Sequence, residues 1–176
     1  MRNTYAARFM TAIVVVLITV CATAAAGQDS FNGIPWGAAP TAFGDLVNIS
    51  REGSLAYYRR EKDALSLAGI APVKVVYGFV DKRFFAVYIL LQPKTLITKI
   101  KQFIADDFGP PRAQLRIDRT IYIWKAERLK VKLKVYDDQP FFKVAYYYVP
   151  LSAKLNENRI EKGFEKSFSL KTDLDR

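Results

Sequence analysis

Histidine is absent from this chain of 176 residues, and cysteine occurs once, at Cys21. Without histidine there is no Ser-His-Asp or Cys-His constellation. Zinc, copper and haem sites built on Cys or His are excluded with it. A metal would have to be a hard cation held by carboxylates and carbonyls. Neither a glycine-rich phosphate loop nor a nucleophile elbow is present. No cofactor is expected. Acidic residues are also scarce: 17 Asp and Glu stand against 27 Lys and Arg, a net charge of +10.

The first 26 residues read as a secretory leader. Arg2 and Arg8 form a basic start, Ala12–Val20 is a compact apolar core, and Ala22–Ala26 offers small residues for cleavage. A retained membrane anchor is the alternative, but the uncharged run from Phe9 to Ala26 holds Thr11, Thr19 and Thr23 and lacks a basic stop-transfer cluster. Lipidation at Cys21 is a further alternative, set against Val20, a bulky residue where such sites take a small one. Cleavage after Ala26 removes the sole thiol, so no disulfide could hold the exported domain together. Its net charge would be +8, which suits anionic partners such as lipid headgroups, acidic glycans or an acidic protein surface. Export makes nucleic acid a poor candidate and places the protein in the periplasm or outside the cell.

Gly27–Arg176 has the length of one ordinary domain, and 51% hydrophobic with 14% aromatic residues is far from a disordered profile. We expect a single domain over 27–165 and a charged, frayed tail over 166–176. Ala38–Leu46 reads as a short helix or turn, followed by modest strands at Leu46–Ser50 and Leu55–Arg60. Val73–Val80 and Arg83–Leu91 flank the turn Asp81-Lys82 as a hairpin. Pro93 opens a helix whose stripe is Leu96, Ile97, Ile100, Phe103 and Ile104, stopped by Gly109-Pro110-Pro111. Strands are expected at Gln114–Asp118, Thr120–Lys125, Leu129–Tyr136 and Phe141–Val149, and a second helix over Leu151–Phe164.

A shift of 57 residues lays Asp81–Pro93 on Asp138–Pro150, with identities at Asp81/Asp138, Phe84/Phe141, Phe85/Phe142, Val87/Val144 and Pro93/Pro150. If the echo is a repeat, two similar halves share one antiparallel sheet with helices on a face. The expected fold class is α+β, with about six to eight antiparallel strands and two main helices.

The F-x-G-I-x-W-G start at Phe31–Gly37, Tyr58-Arg59 before Ala68-Gly69, the Val75–Leu91 hairpin, Phe108-Gly109-Pro110 and Trp124 together resemble a group of small uncharacterised exported bacterial proteins. That group brings no activity with it. The helix-then-strands pattern is more distantly similar to the β-lactamase-inhibitor protein and the small lipoprotein of the β-barrel assembly machinery. That similarity implies work by protein binding.

Leu129–Tyr136 alternates. Lys130, Lys132, Lys134 and Tyr136 fall on one face, and Lys143 and Tyr147 extend it across the next turn. Such a face suits a phosphate-bearing or acidic partner, and equally a solvated surface where lysines discourage strand-to-strand aggregation. Trp36 and Trp124 could stack on sugar rings or fill the core. Asp106-Asp107 and Asp137-Asp138 point in diverging directions, poorly suited to acid–base work or Ca²⁺. No catalytic or metal-binding residue is assigned. The expectation is a non-enzymatic exported domain that binds an envelope protein or anionic envelope component, with a membrane surface among the possible partners. The alternatives are an enzyme or small-molecule carrier acting on envelope lipid or glycan, and a lipid-anchored assembly factor that depends on Cys21.

Overall fold

The computed structural model describes residues 29–169. The expected leader with its expected cleavage site, Cys21 and the end of the expected tail lie outside them. Two short strands, β1 (Ser30–Phe31) and β2 (Ile34–Pro35), form a small ribbon. Its turn is Asn32-Gly33, both at positive φ (49° and 77°), the conformation that tight hairpins require. Pro40–Ala42 make a single 3₁₀ turn where a short helix or turn was expected.

The main sheet begins with β3 (Leu46–Glu52), β4 (Leu55–Arg60), β5 (Lys74–Val80) and β6 (Arg83–Leu91). After a 3₁₀ turn at Lys94–Leu96 comes helix α1 (Ile97–Phe108). Then follow β7 (Arg112–Leu115), β8 (Arg119–Lys125), β9 (Leu129–Tyr136) and β10 (Phe142–Tyr148). Helices α2 (Val149–Ser152) and α3 (Glu157–Ser169) end the described chain. The expected α+β domain is what forms: eight antiparallel strands in the order β3-β4-β5-β6-β10-β9-β8-β7, beside the two-stranded ribbon.

The sheet order is that of two four-stranded meanders meeting at β6 and β10. Their register places Tyr88 opposite Ala145. The 57-residue offset carries Tyr88 onto Ala145, so it relates the central strands by a two-fold axis through that pair. Val87 and Val144 accordingly share one face. The offset fails at the phenylalanines for a local reason. The register of β5 on β6 skips Phe85, which turns to the α3 side while Phe142 lies on the α1 side.

One sheet face packs on α1 and the β1–β2 ribbon. Ile100 and Ile104 from α1, and Phe31, Ile34 and Trp36 from the ribbon, meet Phe84, Val87, Val131, Leu133 and Tyr146. Trp36 stacks between Phe84 (4.5 Å) and Tyr148 (5.8 Å), so it belongs to the core. Phe103, expected in the stripe, is partly exposed instead. The other face packs on α3 through Ile160 and Phe164. The helices thus take opposite faces of the sheet. The expected second helix is also broken between α2 and α3, and α3 runs through Ser169, into the segment read as tail.

Gly109 ends α1 at φ 76°, its N–H donating to Ala105 O at 2.8 Å. Trp124 Nε1 donates to Gly109 O at 3.0 Å and so ties the helix end to β8. Trp124→Phe keeps most of the ring and removes this bond. It should lower unfolding stability by about 1–2 kcal/mol, read from the urea midpoint at unchanged m-value.

Candidate functional site

The six residues singled out on the basic strand pair share one face. Strict alternation along β9 puts Lys130, Lys132, Lys134 and Tyr136 on the same side. The β9–β10 register adds Lys143 opposite Lys134, and Tyr147 opposite Lys130. This face was expected to meet a partner or solvent. The structure covers it: Lys132, Lys134 and Lys143 are 8%, 4% and 2% exposed, and Tyr147 is buried. Lys130 and Tyr136 remain half-buried.

Helix α3 makes the cover. Asn156 caps its first turn, its side-chain oxygen accepting from the N–H of Asn158 (2.9 Å) and Arg159 (3.4 Å). Glu161 reaches down to form an ion pair with Lys134. Phe164 lies beneath the ammonium of Lys143, 4.6 Å from nitrogen to ring centroid, and stacks on Tyr88 at 4.8 Å. Lys143 also stands 6.0 Å from the Tyr136 ring, and Lys130 5.3 Å from Tyr147. Two lysines directly opposite on neighbouring strands repel, so an anion and aromatic ring faces there offset a real cost.

Gly163 sets how closely α3 can approach. A Cβ on it would fall 2.6 Å from the Tyr57 hydroxyl oxygen, and that hydroxyl donates to Ile160 O at 2.9 Å. Burial pushes the Tyr57 phenol well above its ordinary value, with Glu52 adding to the rise. Burial likewise raises Tyr88 beneath the helix. The sequence reading missed Glu161, Gly163 and Phe164 as parts of this site. The available signal was the pair Ile160 and Phe164, four apart, with a glycine beside them in an otherwise polar helix.

A second polar cluster sits at the other face. Asn32 Nδ2 donates to Tyr77 (2.8 Å) and Asp63 (3.1 Å), and Tyr77 donates to Asp63 at 2.7 Å. Arg60 donates to Asn32 O at 2.9 Å and pairs with Asp45 at 3.1 Å. These bonds lock the β1–β2 ribbon onto the sheet. The acid pairs Asp106-Asp107 and Asp137-Asp138 are exposed. Among the described residues no group of three or more His, Cys, Asp or Glu could hold a metal ion, and no helix is long and apolar enough to cross a membrane.

Comparison with known proteins matches no family model, no curated protein and no solved structure. The fold defines the class, a single α+β domain, and any function must be argued from the lysine face itself.

Proposed function

We propose that the protein is a non-enzymatic exported domain, periplasmic once processed, that binds an anionic envelope component or protein partner through the Lys130, Lys132, Lys134, Tyr136, Lys143 and Tyr147 face. One observation carries the reading: three lysines, each under a tenth exposed, gather on one sheet face against a helix that supplies a carboxylate and a ring. The sheet thus already holds an amphipathic helix, its own, through a carboxylate (Glu161) and a ring (Phe164). A partner of the same chemistry, a carboxylate or phosphate next to an apolar wedge, would take the place of α3. The distant similarity to the β-lactamase-inhibitor protein and the small lipoprotein of the β-barrel assembly machinery, which work by binding other proteins, belongs to the same proposal.

Exchange with α3 makes the reading testable. Gly163→Val drives a side chain into Tyr57 and loosens the helix. A fluorescent peptide of sequence Leu155–Ser169 should then bind the variant at least about tenfold more tightly than wild type, by anisotropy. Adding Lys134→Gln and Lys143→Gln should abolish that gain. Peptide binding that ignores both lysines, or fails to rise in Gly163→Val, removes this face from the account.

A further inference from the structure

We infer that the β7–β8 hairpin tip is a wedge that inserts into the phospholipid surface of a membrane. The hairpin borders the lysine face where Arg119 lies over the Tyr136 ring (5.0 Å), but the inference does not depend on that face. Arg116 N–H donates to Arg119 O at 2.8 Å, so Ile117 and Asp118 are the corners of the turn. Turn corners favour Gly, Asn, Asp and Pro, which leave the apolar surface small. Here Ile117 is 104% exposed, and Leu115 beside it is 83% exposed.

Two large aliphatic side chains this exposed at a turn contribute little burial to the fold. Burying them elsewhere would be favourable. What surrounds them says where. Arg116 and Arg119 bracket the turn and Arg112 stands at the start of the same strand, while Asp118 is occupied by Arg119, Nη2 to Oδ2 at 2.6 Å. Arginine presents a planar fork that matches phosphate oxygens, so side chains beside an apolar tip can grip headgroups while the tip enters the acyl boundary. The acids nearby are Asp137 and Asp138 in the β9–β10 turn; Asp137 N–H donates to Asp118 O, and Lys94 Nζ donates to Asp137 O at 3.0 Å. They border the tip on the β9 side, so the Arg112 and Arg116 side turns toward the membrane.

The hairpin also stands at the margin of the sheet, since β7 is its last strand. A flat lipid surface can therefore reach the tip without disturbing the core.

The test is flotation with phosphatidylcholine vesicles containing about one third phosphatidylglycerol. Wild type should float with them. Leu115→Ser/Ile117→Ser should weaken binding about tenfold or more at an unchanged thermal midpoint. Ile117→Trp should tighten binding and shift its emission to the blue, because indole favours the interface. Arg116→Gln should weaken binding about fivefold. Arg83→Gln, exposed at the opposite end of the sheet, should float as wild type does, and the peptide assay reads the lysine face separately, so failure of either reading is seen on its own. Wild type that stays with the buffer overturns the inference. So does a double serine variant that floats unchanged, or a tryptophan at 117 that gains nothing.

Discussion

Raising the pH past 10 will unfold this protein in one steep step. Tyr57, Tyr77, Tyr88 and Tyr146 all lie in the interior, and burial is the main cause that lifts each phenol above its ordinary value of 10.0. Asp63 adds to the rise at Tyr77 and Asp107 at Tyr146. Below 10 these phenols are protonated in both folded and unfolded chains, so they give stability no pH dependence. Above 10 the unfolded chain releases protons that the folded chain still holds, and the balance tips toward unfolding. Four such groups give a slope of up to about 5 kcal/mol per pH unit. Against an ordinary domain stability of about 5–15 kcal/mol, the folded state should be lost within about one to three units above 10. The check is phenolate absorbance followed beside far-ultraviolet circular dichroism. The four buried phenols should ionise together with loss of the sheet. Tyr88→Phe should make the slope shallower by about a quarter. Gradual ionisation of all tyrosines in a chain that keeps its sheet would contradict this account.

The same aromatic residues explain what could be read in advance. Leu129–Tyr136 was legible to the residue because alternation of Leu and Val with Lys allows one register only. The Asp81-Lys82 hairpin was legible because a two-residue polar turn divides two β-branched, aromatic runs; both turn residues take positive φ (48° and 60°), as such hairpins require. The β7 strand was placed two residues late. Leu115 and Ile117 look like strand interior by composition, yet Arg116–Asp118 forms the turn. A turn built from an exposed isoleucine breaks the usual chemistry of turns, and that is where function is sought. Which face of the sheet carries the lysines was also readable. What lies over that face was not, because a cover is a long-range contact: α3 follows β10 in the chain yet crosses back to β3 and β4. An alternating strand shows where its two faces are and says nothing of which one meets water. Lysine composition argued for solvent, and the Ile160–Phe164 stripe was too narrow to argue back.

Removing the Glu161 carboxylate should cost far more than surface charge substitutions do. The Lys134 side chain is 5% exposed and that of Glu161 19%, so the pair lies largely out of water. An exposed pair contributes about 0–1 kcal/mol. Taking one partner from a buried pair leaves the other charge desolvated without its counterion, and Lys143 stands directly opposite Lys134 to add repulsion. Glu161→Ala should therefore lower unfolding stability by about 3 kcal/mol, at the lower end for buried pairs because Glu161 keeps some water contact. The double variant Lys134→Met/Glu161→Leu should recover to within about 1 kcal/mol of wild type, since apolar side chains of similar volume fill the same space without desolvation. Both values come from urea unfolding at neutral pH. That asymmetry separates two uses of the pair. A pair kept for stability would leave the double variant well below wild type. A pair kept because the face must recognise an anion leaves the double variant stable but unable to take the Leu155–Ser169 peptide when Gly163→Val is added. Stability retained with recognition lost is the expected result, and peptide binding retained without the Lys134 ammonium would take recognition away from the Lys134–Glu161 pair.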